Sequence, residues 1–493
     1  MPINVHSDYS RDFRTGPRNQ MTPVFLSSKG RYVYSENSFK VWVENGKLCF
    51  DGEKFELVNA GTCLRDAYIA AMKAHFPFDG KKLPREFFKT AQYNTWMEFT
   101  YNPTQEGVLE YAHSIIDNGF APGILIIDEG WHGRYGQWKF DKLKFPDPKS
   151  MTDELHKLGF TVMLWITPSV CCDGQEFIMS IRKDFNPDTY DSLYLRNANG
   201  DPAIVSWWNG FSAILDLRKK CDRDFLDEKL HSLMSEYGID GFKFDGGSYL
   251  MYHLSSMING TPRSDHDPES LNKAWNEFGS RYKFHENKDT FGRGGKATIQ
   301  RLCDRNHRWD DDGINTIIPC SILQGLEGYP FICPDMIGGG EWTYNMKPGF
   351  KVDEELFVRM AQVSALFPMM QFSWAPWRAL SEQAFKIVSE AAQLHVEMAD
   401  EIIRLVDKTE TEGEPILRNL EYNYPGIGYE EITDEFMLGE NILVCPVVTK
   451  GTFRKKIVLP PGKWQDPEGK IFDGEKSEYF DTPLEKLLWF RKV

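Results

Sequence analysis

The chain has 493 residues, with 57 Lys and Arg against 72 Asp and Glu for a net charge of −15. That length exceeds what one hydrophobic core fills, and 41 % apolar with 26 % charged residues is globular composition, which excludes a mostly disordered chain. So acidic a chain repels phosphate backbones and anionic lipid, which argues against nucleic acid and membrane surfaces as partners.

The N-terminal stretch MPINVHSDYSRDFR is polar and lacks the apolar core of a signal peptide. No window offers the 18 or more apolar residues of a membrane span. The expectation is a cytoplasmic protein, or an exported one whose signal has been trimmed. Residues 1–88 carry short β-rich runs (Arg31–Ser35, Phe39–Val43, Lys47–Phe50, Phe55–Val58) broken by Gly and Asn, which predict a small antiparallel β domain. From 89 to 428 apolar runs alternate with helical segments. Strands are predicted at Thr95–Tyr101, Gly123–Ile127, Val162–Ile166, Gly241–Asp245, Thr298–Leu302, Tyr329–Cys333 and Phe367–Phe372. Helices are predicted at Gly107–Asn118, Met151–Leu158 and around Asp224–Tyr237. Buried runs alternating with helices over so long a span predict an α/β fold, a (β/α)8 TIM barrel with insertions. From 429 to 493 the helices stop, and Ile442–Val448, Arg454–Leu459 and Leu487–Val493 predict a C-terminal β-sandwich domain.

Nine cysteines without a CxxC pair or Cys/His spacing give no metal site, and Gly338–Glu341 lacks the residues of a phosphate cradle. No cofactor is expected. Several predicted strands end in polar or aromatic residues: Asp128 to Trp131, Trp165, Asp245, and Ser373 with Trp374. In a barrel such ends converge on one mouth. Carboxylates accept hydrogen bonds from hydroxyls and indoles stack on the apolar faces of sugar rings. Cleaving a glycosidic bond takes two carboxyls in different protonation states.

Four segments, FDKLKFPDPKSMTDELHKLGFTVMLWITP (Phe140–Pro168), GIDGFKFDGG (Gly238–Gly247), GYPFICPDMIGG (Gly328–Gly339) and DEFMLGENILVCPVV (Asp434–Val448), resemble glycoside hydrolase family 31 in order and spacing. AIVSWWNGFSAILDL (Ala203–Leu217) and PMMQFSWAPW (Pro368–Trp377) resemble the branch whose members act as α-galactosidases. The resemblance implies a retaining, exo-acting α-glycosidase whose substrate is a small molecule or oligosaccharide with a terminal α-linked sugar. A galactoside is favoured, an α-glucoside or other α-sugar is the alternative, and a sugar-binding pseudoenzyme would require loss of a catalytic carboxylate.

It also implies residue roles. Asp245 matches the nucleophile. Asp304, five residues before Trp309 in RLCDRNHRW, matches the acid/base in preference to Asp311, and its surroundings are expected to keep it protonated while Lys243 favours an ionised Asp245. Asp128, Trp131, Trp165, Lys243, Lys288, Trp309 and Ser373 are the expected substrate contacts. Lys288 stands where the family usually has an Arg, with Arg293 as the other source of that charge. Ser373 replaces a His in the family's seventh-strand motif. Asp335, in the sixth-strand motif, reads as structural. The N-terminal domain resembles a truncated form of the family's.

Overall fold

The computed structural model describes residues 6–15, 19–182, 193–253 and 257–493, so Met1–Val5 of the polar N-terminal stretch lie outside the described residues. The N-terminal region forms two three-stranded antiparallel sheets. One joins Ser10–Asp12, Lys40–Glu44 and Lys47–Asp51; the other joins Val24–Leu26, Arg31–Tyr34 and Glu56–Asn59. Four of these strands fall within a residue or so of the expected runs. Asn45 and Gly46, both at positive φ (51° and 70°), form the two-residue turn that an Asn-Gly pair favours between twisted strands. A helix at Leu64–His75 buries Tyr68, Ala71 and Met72 against Tyr32.

Nine parallel strand segments follow in one curled sheet. In chain order they are Gln92–Asn94, Ile124–Ile127, Thr161–Ile166, Gly241–Phe244, Phe284–Asn287, Gln300–Arg301, Ile332–Cys333, Met336–Ile337 and Gln371–Phe372. The two ends of the sheet are Ile332–Cys333 and Met336–Ile337, which are halves of one strand interrupted by Pro334 and Asp335. Proline has no N–H for the ladder, so the break falls there. The halves pair with different neighbours and the sheet closes as an eight-stranded barrel. Helices such as Gln105–Asp117, Pro148–Lys157 and Lys220–Tyr237 cover it, close to the expected spans. Strands like Ile124–Ile127 are buried on both faces, which is why they read as unbroken apolar runs.

Two expectations are corrected. The first strand lies at Gln92–Asn94, not Thr95–Tyr101, and Trp96–Phe99 is a helical turn. The Asn94 side chain accepts the Trp96 N–H at 2.8 Å and the Ser373 hydroxyl accepts that of Met97 at 2.6 Å, so side chains offer the backbone a better partner than a ladder. Phe284–Asn287 is a strand that the pattern misses, because FHEN looks polar; yet Glu286 is fully buried, accepting from Gln371 at 3.1 Å and facing Arg301 at 3.4 Å. The motifs counted as strands six and seven are therefore the seventh and eighth.

After the third strand an insertion forms a three-stranded antiparallel sheet, with Gly210–Ile214 between Ser169–Cys171 and Ile204–Trp207. The chain ends in a six-stranded antiparallel sheet and a two-stranded one (Arg454–Leu459 with Lys476–Asp481), packed around Ile457, Trp464 and Phe490. Arg359 of the barrel donates to the Thr482 carbonyl at 2.8 Å across that junction. Among the described residues no helix is long and apolar enough to cross a membrane.

Candidate active site

The site begins where the fourth strand ends. Asp245 follows Phe244, its N–H bonded to the Ile166 carbonyl at 2.9 Å. The chain then turns through Gly246 and Gly247, at φ 61° and 55°. A Cβ on Gly247 would stand 2.4 Å from the Trp275 ring, so the turn that presents Asp245 requires glycine there. Asp245 Oδ1 accepts the Gly246 N–H at 2.8 Å and Oδ2 accepts the Trp165 indole N–H at 3.0 Å.

Lys288, just past the fifth strand, reaches 3.7 Å from Asp245 Oδ2 and 2.8 Å from Asp304 Oδ2. Its own carbonyl is held by Asn19 and, at 2.8 Å, by Gln20 of the N-terminal region, whose strand Gln20–Met21 pairs with Thr290–Phe291. Asp304 Oδ1 accepts from Arg301 at 2.9 Å. Arg301 is fully buried and also donates to Asp335. Asp335 in turn accepts the backbone N–H groups of Arg305 and Gly340 at 2.7 and 3.1 Å, fixing the loop that carries Asp304. Opposite, Lys243 donates to Asp128 at 2.7 Å in a buried pair. An ion pair taken out of water holds together only when its geometry is good, and breaking it by removing one partner is costly.

The electrostatics differ from the sequence expectation at one point. Burial pushes the Asp245 pKa up, but Lys288 and Lys243 outweigh it and hold the carboxyl below the usual range. Burial acts on Asp304 in the same sense, and there Lys288 and Arg301 win decisively, so Asp304 is ionised in the resting site rather than protonated. Asp335 is pushed up to about 6 by burial.

Trp131 does not reach the mouth. Gly130 at φ 95° turns the chain after Glu129, and the fully buried indole donates to the Trp165 carbonyl at 2.8 Å and packs on Phe140. Ser373 is also fully buried, its hydroxyl spent on Met97. Trp309 donates to Asp353 at 3.0 Å, which also binds Lys450 at 2.5 Å; no contact among the described residues joins it to the carboxylates. Arg293 pairs with Glu277 at 2.9 Å, so the cations beside Asp304 are Lys288 and Arg301. Asp310 and Asp312 pair with half-buried Arg308, and Asp311 is exposed.

Sequence reasoning missed Arg301, Glu129 and the hairpin tip Trp208–Asn209. Glu129 stands beside Asp128 in the IDEGW motif, and WWNG carried two tryptophans into a tight turn; those were the available signals. Burial, with Asp128 and Asp245 nearby, pushes Glu129 up to about 8 against the opposing hydrogen bond from Tyr135, and burial pushes Glu435 in the C-terminal domain to about 7. Both carboxyls keep a proton in the folded chain that the unfolded chain releases near pH 4. Through these carboxyls, and Glu327, which burial also pushes up to about 8, the native state binds more protons and stability falls as pH rises, by about 1.4 kcal/mol per pH unit per proton. His132, His285 and His395, pushed down to about 4 by burial, oppose this only near and below pH 7. The urea midpoint should therefore be lower at pH 8 than at pH 6.5, and Glu129→Gln should flatten the decline between pH 7 and 8. A midpoint that rises over this range would contradict these assignments.

Among the described residues no cluster of His, Cys, Asp or Glu is arranged to hold a metal ion. A closed barrel with buried, cation-bridged carboxylates at the C-terminal ends of its strands is the architecture of a glycoside hydrolase. The chain belongs to glycoside hydrolase family 31: residues 86–405 match the model of the family's TIM-barrel domain and 413–492 that of its C-terminal domain. It is 32 % identical over 410 residues to the myogenesis-regulating glycosidase of Mus musculus, covering 81 % of this chain and 55 % of that protein. It is 25 % identical to alpha-glucosidase 2 of Bacillus thermoamyloliquefaciens, covering 80 % and 51 %. The chain thus spans about half the length of these relatives. In fold it resembles the cycloalternan-degrading enzyme from Trueperella pyogenes in complex with covalent intermediate, with a TM-score of 0.79 at 18 % identity over 96 % of this chain and 70 % of that one.

Proposed function

We propose that this chain is a retaining, exo-acting α-glycoside hydrolase with Asp245 as nucleophile and Asp304 as acid/base, and that residues 89–428 form its catalytic domain. The observation that carries the reading is the Lys288 bridge. One ammonium touches both carboxylates, so their Oδ2 atoms are separated by no more than the 6.5 Å to which the two contacts add up. Retaining enzymes hold the pair about 5–5.5 Å apart, whereas inverting enzymes leave a gap of about 6.5–9.5 Å for water.

Asp245 attacks the anomeric carbon as the bond to the leaving oxygen breaks, and Asp304 delivers a proton to that oxygen. Asp304 then takes a proton from the water that releases the sugar. Since Asp304 is ionised at rest, it takes up a proton from solvent as substrate enters, excludes the remaining water and displaces the Lys288 ammonium from it. Trp165 orients the nucleophile through its N–H. Asp128 and Lys243 offer an acceptor and a donor to sugar hydroxyls.

The favoured sugar is galactose. With Trp131 and Ser373 buried away from the mouth, the preference rests on the branch resemblance and on Lys243, paired with Asp128 where glucosidases of the family often place Trp. A site built around one hydroxyl epimer leaves buried polar groups unpaired with the other. Initial rates on para-nitrophenyl glycosides should favour the α-galactoside over the α-glucoside by at least about tenfold, a modest part of what such polar readout achieves. The first-formed sugar, followed by NMR, should be the α-anomer. Equal or faster hydrolysis of the α-glucoside overturns the sugar assignment; a β-anomer overturns the assigned roles.

A further inference from the structure

Glu129 sits where the loop after the second strand meets the inserted hairpin. Its Oε1 accepts from the Tyr135 hydroxyl at 2.5 Å and from the side-chain amide of Asn209, whose chain neighbour Trp208 packs edge-on against Trp207 at 4.8 Å. Tyr135 packs edge-on against Trp207 at 5.0 Å and Trp165 at 6.2 Å, and Trp165 holds the nucleophile. One buried carboxyl therefore joins Asn209 of the hairpin turn to Tyr135 of the barrel loop. Trp208 nevertheless stays 52 % exposed, an apolar ring face left open at the hairpin tip.

We infer that Glu129 is a positioning residue: it clasps the hairpin tip to the barrel and aims the Trp208 indole across the mouth as a stacking face for the incoming glycoside. The identity of what stacks rests on the glycosidase reading; the clasp does not. A residue needed only to fill space here would be apolar, because a buried carboxyl without donors is costly. Two side-chain donors, from Tyr135 and Asn209, converge on Glu129, and an indole held in place before substrate arrives loses less rotamer freedom on binding.

The test uses Glu129→Ala, Glu129→Gln and Trp208→Ala in the full chain. Acrylamide quenching of Trp208, taken as the difference between each protein and its Trp208→Phe counterpart, needs no substrate. It should rise at least about twofold in Glu129→Ala as the hairpin tip comes free of the barrel. Gln keeps an acceptor oxygen and should stay near wild type. On whichever α-glycoside the wild type cleaves, Glu129→Ala should raise KM about tenfold, the worth of about 1.4 kcal/mol, with kcat changing far less. In the Trp208→Ala background the same substitution should add almost nothing to KM, because the two act as one unit. Unchanged quenching in Glu129→Ala overturns the clasp. Freed quenching with unchanged KM, or fully additive effects of the two substitutions, overturns the stacking role. If the wild type cleaves no α-glycoside, the glycosidase reading fails while the quenching result still decides the clasp.

Discussion

Asp245→Ala should remain folded and turn over substrate at less than about a thousandth of the wild-type rate, since no other carboxylate stands at the anomeric carbon. The fold survives because the neighbouring charge is not orphaned. Lys288 keeps Asp304 at 2.8 Å, and the loss is confined to the Trp165 N–H and the Gly246 N–H. An unpaired buried donor costs about 1–3 kcal/mol, less than the stability of an ordinary domain. Circular dichroism and a urea titration check the fold, and initial rates check the chemistry. Azide in the emptied space should attack directly and give a glycosyl azide of configuration opposite to the substrate. A folded variant that retains more than a thousandth of the activity removes Asp245 from the role.

Asp304→Ala should behave differently. Leaving groups that depart as stable phenolates need no proton, so activated aryl glycosides should still form the covalent intermediate, while alkyl glycosides and disaccharides should slow by about 10²–10⁴-fold. Breakdown of the intermediate also loses its base, and azide should relieve that step by attacking the glycosyl-enzyme with net retention. Removing Asp304 leaves Lys288 with Asp245 and Arg301 with Asp335 and Glu286, so this variant also keeps its buried cations paired. Asp311→Ala is the control: that side chain is exposed beside Arg308's ion pairs and should change nothing. If Asp311→Ala shows the leaving-group pattern and Asp304→Ala does not, the acid is misplaced.

Spacing carried the sequence reading far where function sits in a local segment. Asp245 was legible because a buried strand, an Asp and two glycines are contiguous. Lys288 and Asp304 were legible through their sixteen-residue interval, which the structure closes to a 2.8 Å contact. Side-chain direction was not legible. Trp131 lies three residues beyond Asp128, but Gly130 reverses the chain between them and turns the indole beneath Trp165. Ser373 ends a strand as expected, yet its hydroxyl serves a helical turn nearly 280 residues earlier, and nothing local reports such a partner. Phe284–Asn287 was missed because pattern reading equates polar with exposed, while this barrel has a polar interior in which Glu286 faces Arg301 and accepts from Gln371. Glu129 shows the converse: a conspicuous acid beside a conspicuous acid, whose part became visible only when the inserted hairpin came down on it.

The grip of Gln20 on the Lys288 carbonyl links residues 268 positions apart. During synthesis the N-terminal partner emerges first and waits for the other. At ribosomal speeds of about 5–20 residues per second, that wait is on the order of tens of seconds. Throughout it, Gln20–Met21 has no neighbouring strand, and its two-residue length makes it a poor template for pairing with another nascent chain. The lysine that joins the two carboxylates is thus anchored only once residue 288 has emerged, and a chain released before that point carries its nucleophile strand without a finished centre.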